Sequence, residues 1–288
     1  MLSCSLMLTL AACVQSDGPL PQAPDATGPR PTISSTAMVA PDTSTISTSR
    51  WAPPPVNAGF DYQLGGGYPP PSGVTVVTRD VTDVFPAGVY GICYINAFQN
   101  QPGQRGLWPA GLVTDLEDPN FPGEYLIDIS TTAKQRTAAS FLTAQIDSCA
   151  TKGFLAVEFD NLDSWTRLDG TPRAAQVPFG INQAVDFAHQ LVAIAHDRGL
   201  AAGQKNTPQL GAARAYEIGF DFAVSEECAR FDECDLYRAV YQDRLIDIEY
   251  DLPSFRIACA EIGASVSVVF RDRAVSPPGT PGYEDANC

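Results

Sequence analysis

GFLAVEFDNLD, residues 153–163, is a short β-rich run that begins apolar and ends acidic. Alternation sets Leu155, Val157 and Phe159 on one face, suited to packing under helices. It sets Ala156, Glu158 and Asp160 on the other, pointing into a barrel lumen. Two carboxylates two residues apart repel one another when both are ionised, so one of the two is expected to keep its proton to higher pH. A general acid needs that property. The structural alternative is that these acids cap loops or pair with Lys205 and Arg167.

Seven further β-rich runs surround this one. Three precede it, at residues 60–64, 74–77 and 90–95, and four follow it, at 201–206, 220–226, 245–250 and 265–270. Helical patterns separate the later ones. Residues 132–151 place Ala138, Phe141, Leu142 and Ile146 on a 3.6-residue spacing. Residues 181–198 repeat it with Val185, Ala188, Leu191, Val192 and Ala195 and stop at Gly199. Strands separated by helices form a parallel sheet, and eight of them imply closure into a (β/α)8 TIM barrel over residues 51–288. No glycine-rich phosphate fingerprint follows any strand, which weakens a dinucleotide-binding alternative.

Active sites of such barrels sit at the C-terminal ends of the strands. Polar groups gather there: Tyr94 and Asn96, then Glu158, Asp160, Asn161 and Asp163, then Lys205 and Asn206, then Glu226 and Glu227, then Glu249 and Tyr250. Paired carboxylates of this kind are the usual equipment of a glycosidase, in which one protonates the leaving oxygen and the other attacks the anomeric carbon or activates water. That chemistry needs no cofactor, and no HExxH helix, EF-hand loop, serine nucleophile elbow or Cys–His pair stands out. His189 and His196 lie two helical turns apart, poorly placed to share a metal, and read as structural.

The front of the chain reads as an address. Residues 1–13, MLSCSLMLTLAAC, form a short apolar run ending in small residues, as signal peptides do, although no Lys or Arg precedes it. The ending Leu10-Ala11-Ala12-Cys13 resembles a bacterial lipobox, which implies a lipid on Cys13 and an envelope or extracellular location. An ordinary signal peptide with a chance cysteine is the alternative. Residues 14–50 are rich in Pro, Ser, Thr, Ala and Gly, lack apolar periodicity, and read as a disordered linker. No later run of 18 apolar residues exists, so the lipid is the expected membrane contact. Setting Cys4 and Cys13 aside leaves Cys93, Cys149, Cys228, Cys234, Cys259 and Cys288, an even set that suggests disulfides in an exported chain. Cys228 and Cys234 are close enough to clip one loop; the other pairings stay open.

The chain carries 18 Lys and Arg against 33 Asp and Glu, a net charge of −15, which repels nucleic acid and attracts a cationic polymer. Acidity that only keeps an exported protein soluble is the plainer reading.

A series of short pieces carries a resemblance: Gln63-Leu64, ICYI at 92–95, LIDI at 126–129, GFLAVEFDNLD at 153–163, GQKN at 203–206, EEC…EC at 226–234 and IEY at 248–250. Together they resemble glycoside hydrolase family 114, the endo-α-1,4-polygalactosaminidases. The resemblance implies a (β/α)8 barrel, an α-1,4-linked galactosamine polymer as substrate, Asp160 as nucleophile and Glu226 as acid/base. Simple alternation places Phe220, Phe222, Val224 and Glu226 on a face that reads as helix-facing, which would turn Glu227 inward instead; the family pattern favours Glu226, with a bulge at the strand end. Tyr94, Asp128, Glu158, Asn161, Asp163, Lys205, Asn206, Glu227 and Glu249 are expected to bind sugar hydroxyls or amines, with Lys205 also holding a neighbouring carboxylate ionised. Trp51, Tyr62, Trp108 and Trp165 are candidates for stacking on sugar faces or for ordinary packing. One departure stands out: where the family commonly has Gly and then an acid after the ICYI strand, this chain has Asn96-Ala97-Phe98-Gln99, so a subsite near Gln99 is expected to differ. Two other readings stay open, a non-catalytic carbohydrate-binding barrel lipoprotein and a glycosidase for a different glycan.

Overall fold

The structure is a computed structural model, and it describes residues 51–85 and 88–288. The expected signal peptide, the lipidated Cys13 and the linker over 14–50 lie outside the described residues. Among those described, no helix is long and apolar enough to cross a membrane.

Eight parallel strands form the barrel wall in chain order: β1 (Gly59–Gln63), β2 (Val74–Asp80), β3 (Tyr90–Asn96), then, after the hairpin strands β4 (Val113–Glu117) and β5 (Tyr125–Ile127), β6 (Ala156–Asp160), β7 (Ala201–Lys205), β8 (Phe222–Glu226), β9 (Leu245–Glu249) and β10 (Ser267–Arg271). A ninth strand, β11 (Asp285–Asn287), adds antiparallel to β10. The barrel is nearly closed. At the seam the chain replaces a backbone ladder with side chains: Ala58 N donates to Ser267 Oγ (2.9 Å) and Phe60 N to Asn287 Oδ1 (2.8 Å), while the buried Arg271 guanidinium pairs with Asp61 (2.8 Å).

Helices cover only part of the wall, and among the described residues none stands between β1, β2 and β3. α1 (Thr132–Lys152) precedes β6, and α2 (Ile181–Asp197), α3 (Gly211–Ile218), α4 (Cys234–Tyr241) and α5 (Leu252–Glu261) fill the later crossovers. The ends follow local chemistry. Thr131 caps α1 by accepting from Lys134 N, and Gly153 ends it at φ 93°, a conformation that favours glycine.

The apolar residues divide into two layers. Cys93, Val157, Phe159, Ala202 and Ala223 pack outward against the helices. Phe60, Ala156, Phe222, Val224, Ile246 and Ile248 fill the lumen. Gly203 belongs to the inner layer for a steric reason: a Cβ there would lie 2.7 Å from the Phe222 ring. The β6 reading holds except at Leu155, which lies before the strand and is 46% exposed rather than packed under helices.

The reading of β8 needs correction. Phe222 and Val224 face the lumen, and Ala223 faces the helices. The error came from counting through Phe220, which packs in the outer layer just after Gly219 ends α3; the strand begins at Phe222. Glu226 therefore reaches the lumen by plain alternation from Phe222, without a bulge.

Three disulfides join β3 to α1 (Cys93–Cys149), clip the loop after β8 (Cys228–Cys234) and tie α5 to the C-terminal residue (Cys259–Cys288).

Candidate active site

A cleft of about 550 Å³ opens at the C-terminal ends of the strands. Its floor holds Tyr62, Tyr94, Asp160, Lys205, Asn206, Glu226 and Tyr250, contributed by β1, β3 and the ends of β6 to β9. The backbone turns sharply just past the ends of β6, β7 and β8. Asn161, Asn206 and Glu227 have φ of 63°, 47° and 62°. Asparagine enters this left-handed region readily, whereas glutamate does so rarely.

Lys205 is the hub. Its side chain is 1% exposed, and Nζ lies 3.1 Å from Glu158 Oε1, 3.3 Å from Asp160 Oδ1 and 3.4 Å from Glu226 Oε2, with a hydrogen bond to Tyr62 Oη at 3.0 Å. Burial opposes the ammonium, but Asp160, Glu226 and Glu158 outweigh it and hold the amine charged well above its ordinary range. A buried cluster of one cation and three anions is a weak device for stability, because each ion loses its hydration. Such clusters are characteristic of functional sites.

Asp160 accepts from Tyr94 Oη (2.7 Å) and from Asn161 N (2.8 Å). Burial pushes its carboxyl up, yet Lys205, the Tyr94 hydroxyl, the Asn161 amide and Arg167 together hold it below the usual carboxylate range. Glu158, two residues earlier and fully buried, goes the other way: burial first, opposed by Lys205 and helped by Asp160, raises it. The expected splitting of this pair is therefore present. Glu158 lies beneath the cleft, bonded to Tyr62 Oη at 2.7 Å, and does not line it. Glu226 is gripped at three points. Asn206 Nδ2 donates to Oε2 (2.9 Å), Asn206 Oδ1 accepts from the Glu226 amide (2.7 Å), and Tyr250 Oη donates to Oε1.

Other expected site residues fare unevenly. Asn161 and Asp163 line the cleft and are held by Arg167, whose Nη2 lies 3.1 Å and 2.7 Å from them. Glu227 lines it too, but Arg230 and Arg273 both grip its Oε1 at 2.5 Å. Asp128 does not line the cleft: it follows the hairpin and pairs with Lys134 (2.5 Å) before α1. Glu249 does not either. It faces outward, because Ile246, Ile248 and Tyr250 take the lumen parity on β9. Gln99 is fully buried, donating to Asp118 and Ser164 (3.1 and 3.2 Å), so the departure there lies behind the cleft wall rather than on it.

Of the aromatic candidates only Tyr62 reaches the cleft. Trp51 stacks on His196 and donates to Asp221, where β8 begins; Trp108 packs on Phe141, and Trp165 packs against the outer core. The cleft instead presents Phe121 from the β4–β5 hairpin and Phe231 from the clipped loop, 53% and 58% exposed. Sequence reasoning overlooked both, as well as Arg167 and Arg273 as lining residues. Tyr250 was within reach of the same parity count that places Ile246 and Ile248.

The model of glycoside-hydrolase family GH114 matches residues 40–286. The chain belongs to this family. A GH114 assignment makes it a glycoside hydrolase, in agreement with the acid-lined cleft. No curated sequence matches it. Among solved structures it is similar to Aspergillus fumigatus Ega3, in a complex with galactosamine, at 21% identity and TM-score 0.67, covering 84% of this chain and 99% of that one. It is also similar to the glycoside hydrolase domain of PelA from Pseudomonas aeruginosa, at 13% identity and TM-score 0.52, covering 80% and 98%. At these identities the likeness speaks for the barrel.

Proposed function

We propose that this GH114 protein is an endo-acting hydrolase of α-1,4-linked galactosamine-containing polysaccharide, with Asp160 as nucleophile and Glu226 as acid/base. The observation that carries the reading is the single Lys205 ammonium within 3.4 Å of both carboxylates at the cleft floor. Retaining glycosidases hold their two carboxyl groups about 5–5.5 Å apart, inverting ones about 6.5–9.5 Å. Two oxygens gripped by one nitrogen are close enough for the retaining arrangement, on which the following steps are written. In the first step the Asp160 carboxylate attacks the anomeric carbon while Glu226 gives its proton to the leaving oxygen. In the second, Glu226 takes a proton from water, and the hydroxide so formed releases the glycosyl group from Asp160. The depressed Asp160 suits a nucleophile that must be ionised.

The amino-sugar assignment draws support from three sides: the galactosamine in the Ega3 complex, the net charge of −15, and Glu233, which lines the cleft and has no ion-pair partner among the described residues. A carboxylate so placed suits a sugar ammonium. By the lipobox reading, a diacylglyceryl group on Cys13 anchors the enzyme at the cell envelope; partition of the Cys13→Ala variant into the aqueous phase of a detergent extract tests that part.

The catalytic reading is tested with Asp160→Asn and Glu226→Gln on deacetylated and partly acetylated polygalactosamine, products being read by mass spectrometry. Each variant is expected to lose about 10³-fold or more in kcat with an unchanged melting temperature. Turnover that survives in both variants removes the assignment, and cleavage of some other glycan by the wild type redirects it.

A further inference from the structure

Asp247 and Glu249 sit on the outward face of β9, fully buried under the loop that follows β8. Asp247 Oδ1 accepts from Ser225 Oγ (2.8 Å) and from the Cys228 amide (3.3 Å), and Glu249 Oε1 accepts from the Ala229 amide (2.8 Å). These two amides belong to the residues immediately after Glu227. β9 thus holds, by its backbone, the segment that leaves Glu226.

That segment needs holding. Glu227 is in the left-handed region at φ 62°, which a non-glycine residue keeps only when its surroundings over-determine it. The Arg230 and Arg273 ion pairs fix it from the solvent side, and the buried Cys228–Cys234 disulfide closes the loop beside Asp247. Asp247 and Glu249 fix it from below.

The remaining oxygens of the pair pose a problem. Asp247 Oδ2 and Glu249 Oε2 are both buried and have no hydrogen-bond donor. Neither carboxyl has an ion-pair partner among the described residues. The two carboxyls lie two residues apart on the same buried face of β9, as side-chain neighbours along one strand. Two ionised carboxylates cannot donate to one another, whereas one proton between them satisfies both orphaned oxygens.

We propose that Asp247 and Glu249 are positioning residues that share one proton, and that this proton keeps the Cys228 and Ala229 amides docked and so aims Glu226 into the cleft. The proposal rests on the role given to Glu226 above. The charged and titratable groups around the pair are Glu227, Arg230 and Asp251 in the flanking loops and Tyr237 on α4. Glu227 is already balanced by its two arginines, so it adds little net charge. Burial first, and then repulsion from Asp247, pushes Glu249 up to about 8; burial also raises Asp247. A carboxyl raised in the folded state contributes stability that is complete in acid and drains away as pH climbs from the free-carboxylate range through the raised value. The loop should therefore loosen progressively as pH rises toward about 8 and no further above it.

The test uses Glu249→Gln, whose amide can donate permanently to Asp247 and cannot titrate, with Asp247→Asn as a second variant carrying the same logic. Two readouts are taken across pH on the full chain: kcat, and hydrogen–deuterium exchange of the 226–231 segment corrected against the 153–160 strand. In the wild type both protection and kcat should decline together as pH climbs toward about 8 and level off above it, and in the Gln variant that decline should flatten or vanish. Superimposable exchange and kcat profiles in wild type and both variants overturn the proposal. A loop transition that Glu249→Gln abolishes, in a chain that cleaves no glycan, leaves the proton clamp standing and sinks the hydrolase reading instead. Cleavage that persists without any loop transition does the reverse.

Discussion

Glu226 and Glu249 end neighbouring parallel strands, one hydrogen-bonded register step apart, and they meet opposite fates. Glu226 follows Phe222 and Val224 on the lumen parity of β8 and reaches the Lys205 ammonium. Glu249 lies off the lumen parity of β9, where Ile246, Ile248 and Tyr250 take the inner face, and it reaches a backbone amide under a loop. Both are glutamates at strand ends, and composition cannot tell them apart. What separates them is a count of one residue, because successive side chains in a strand point to opposite sides. An acid on one parity reaches the cleft; an acid on the other accepts a backbone amide of the neighbouring loop.

Replacing Lys205 by Met should have the largest effect on this division. It removes the one cation shared by Glu158, Asp160 and Glu226, leaving buried anions uncompensated. Breaking such a cluster typically destabilises by about 3–5 kcal/mol, and the loss of charge alignment should lower kcat by about 10³-fold. Glu158, already raised by burial, is the group expected to take up a proton and soften the stability loss. Thermal melts and steady-state kinetics on the same preparation read both quantities. Wild-type turnover in this variant would mean that the lumen parity does not define the chemistry.

Tyr250→Phe comes next and probes β9 one residue on from Glu249. It deletes the hydroxyl that donates to Glu226 Oε1 and leaves the ring packed against the inner layer. A hydrogen bond to a charged group is worth about 1.5–3 kcal/mol, so kcat should fall about 10- to 100-fold with KM little changed. If Glu249→Gln at neutral pH harms kcat more than Tyr250→Phe does, the inward and outward roles on β9 are exchanged.

Much of this was legible in the sequence, and the exceptions have physical causes. Eight strand cores could be read because most barrel strands are buried on both faces and appear as short β-rich runs. That Asp160 and Glu226 line one cleft could be read from family pieces and strand ends. Parity failed on β8 because Phe220 looks like strand but belongs to the turn after Gly219. On β9 parity succeeds: Ile246 and Ile248 place Tyr250 inside and Glu249 outside. Asp128 was drawn in by its LIDI piece, whose strand is part of a two-stranded hairpin outside the barrel sheet. The seam between β1 and β10 had no signal at all. It depends on Arg271 meeting Asp61 from opposite ends of the chain, and nothing local announces such a contact.

The rim of the cleft was the least legible part, and it gives the smallest expected effect. Phe121 and Phe231 come from loops without periodicity, so only the folded chain shows that both line the same opening. Each exposes more than half of its surface, and both rings face the same opening. A sugar ring offers an apolar C–H face, and partial burial of one phenyl against it is worth about 1 kcal/mol by area. Phe231→Ala should therefore raise KM about threefold to tenfold and leave kcat unchanged, because the ring touches no group that reacts. The same substitution should matter less as the oligosaccharide is shortened, since a short ligand held at Lys205 no longer spans the rim. A drop in kcat at constant KM would instead place Phe231 in the transition-state contacts, and the contrast between floor and rim would dissolve.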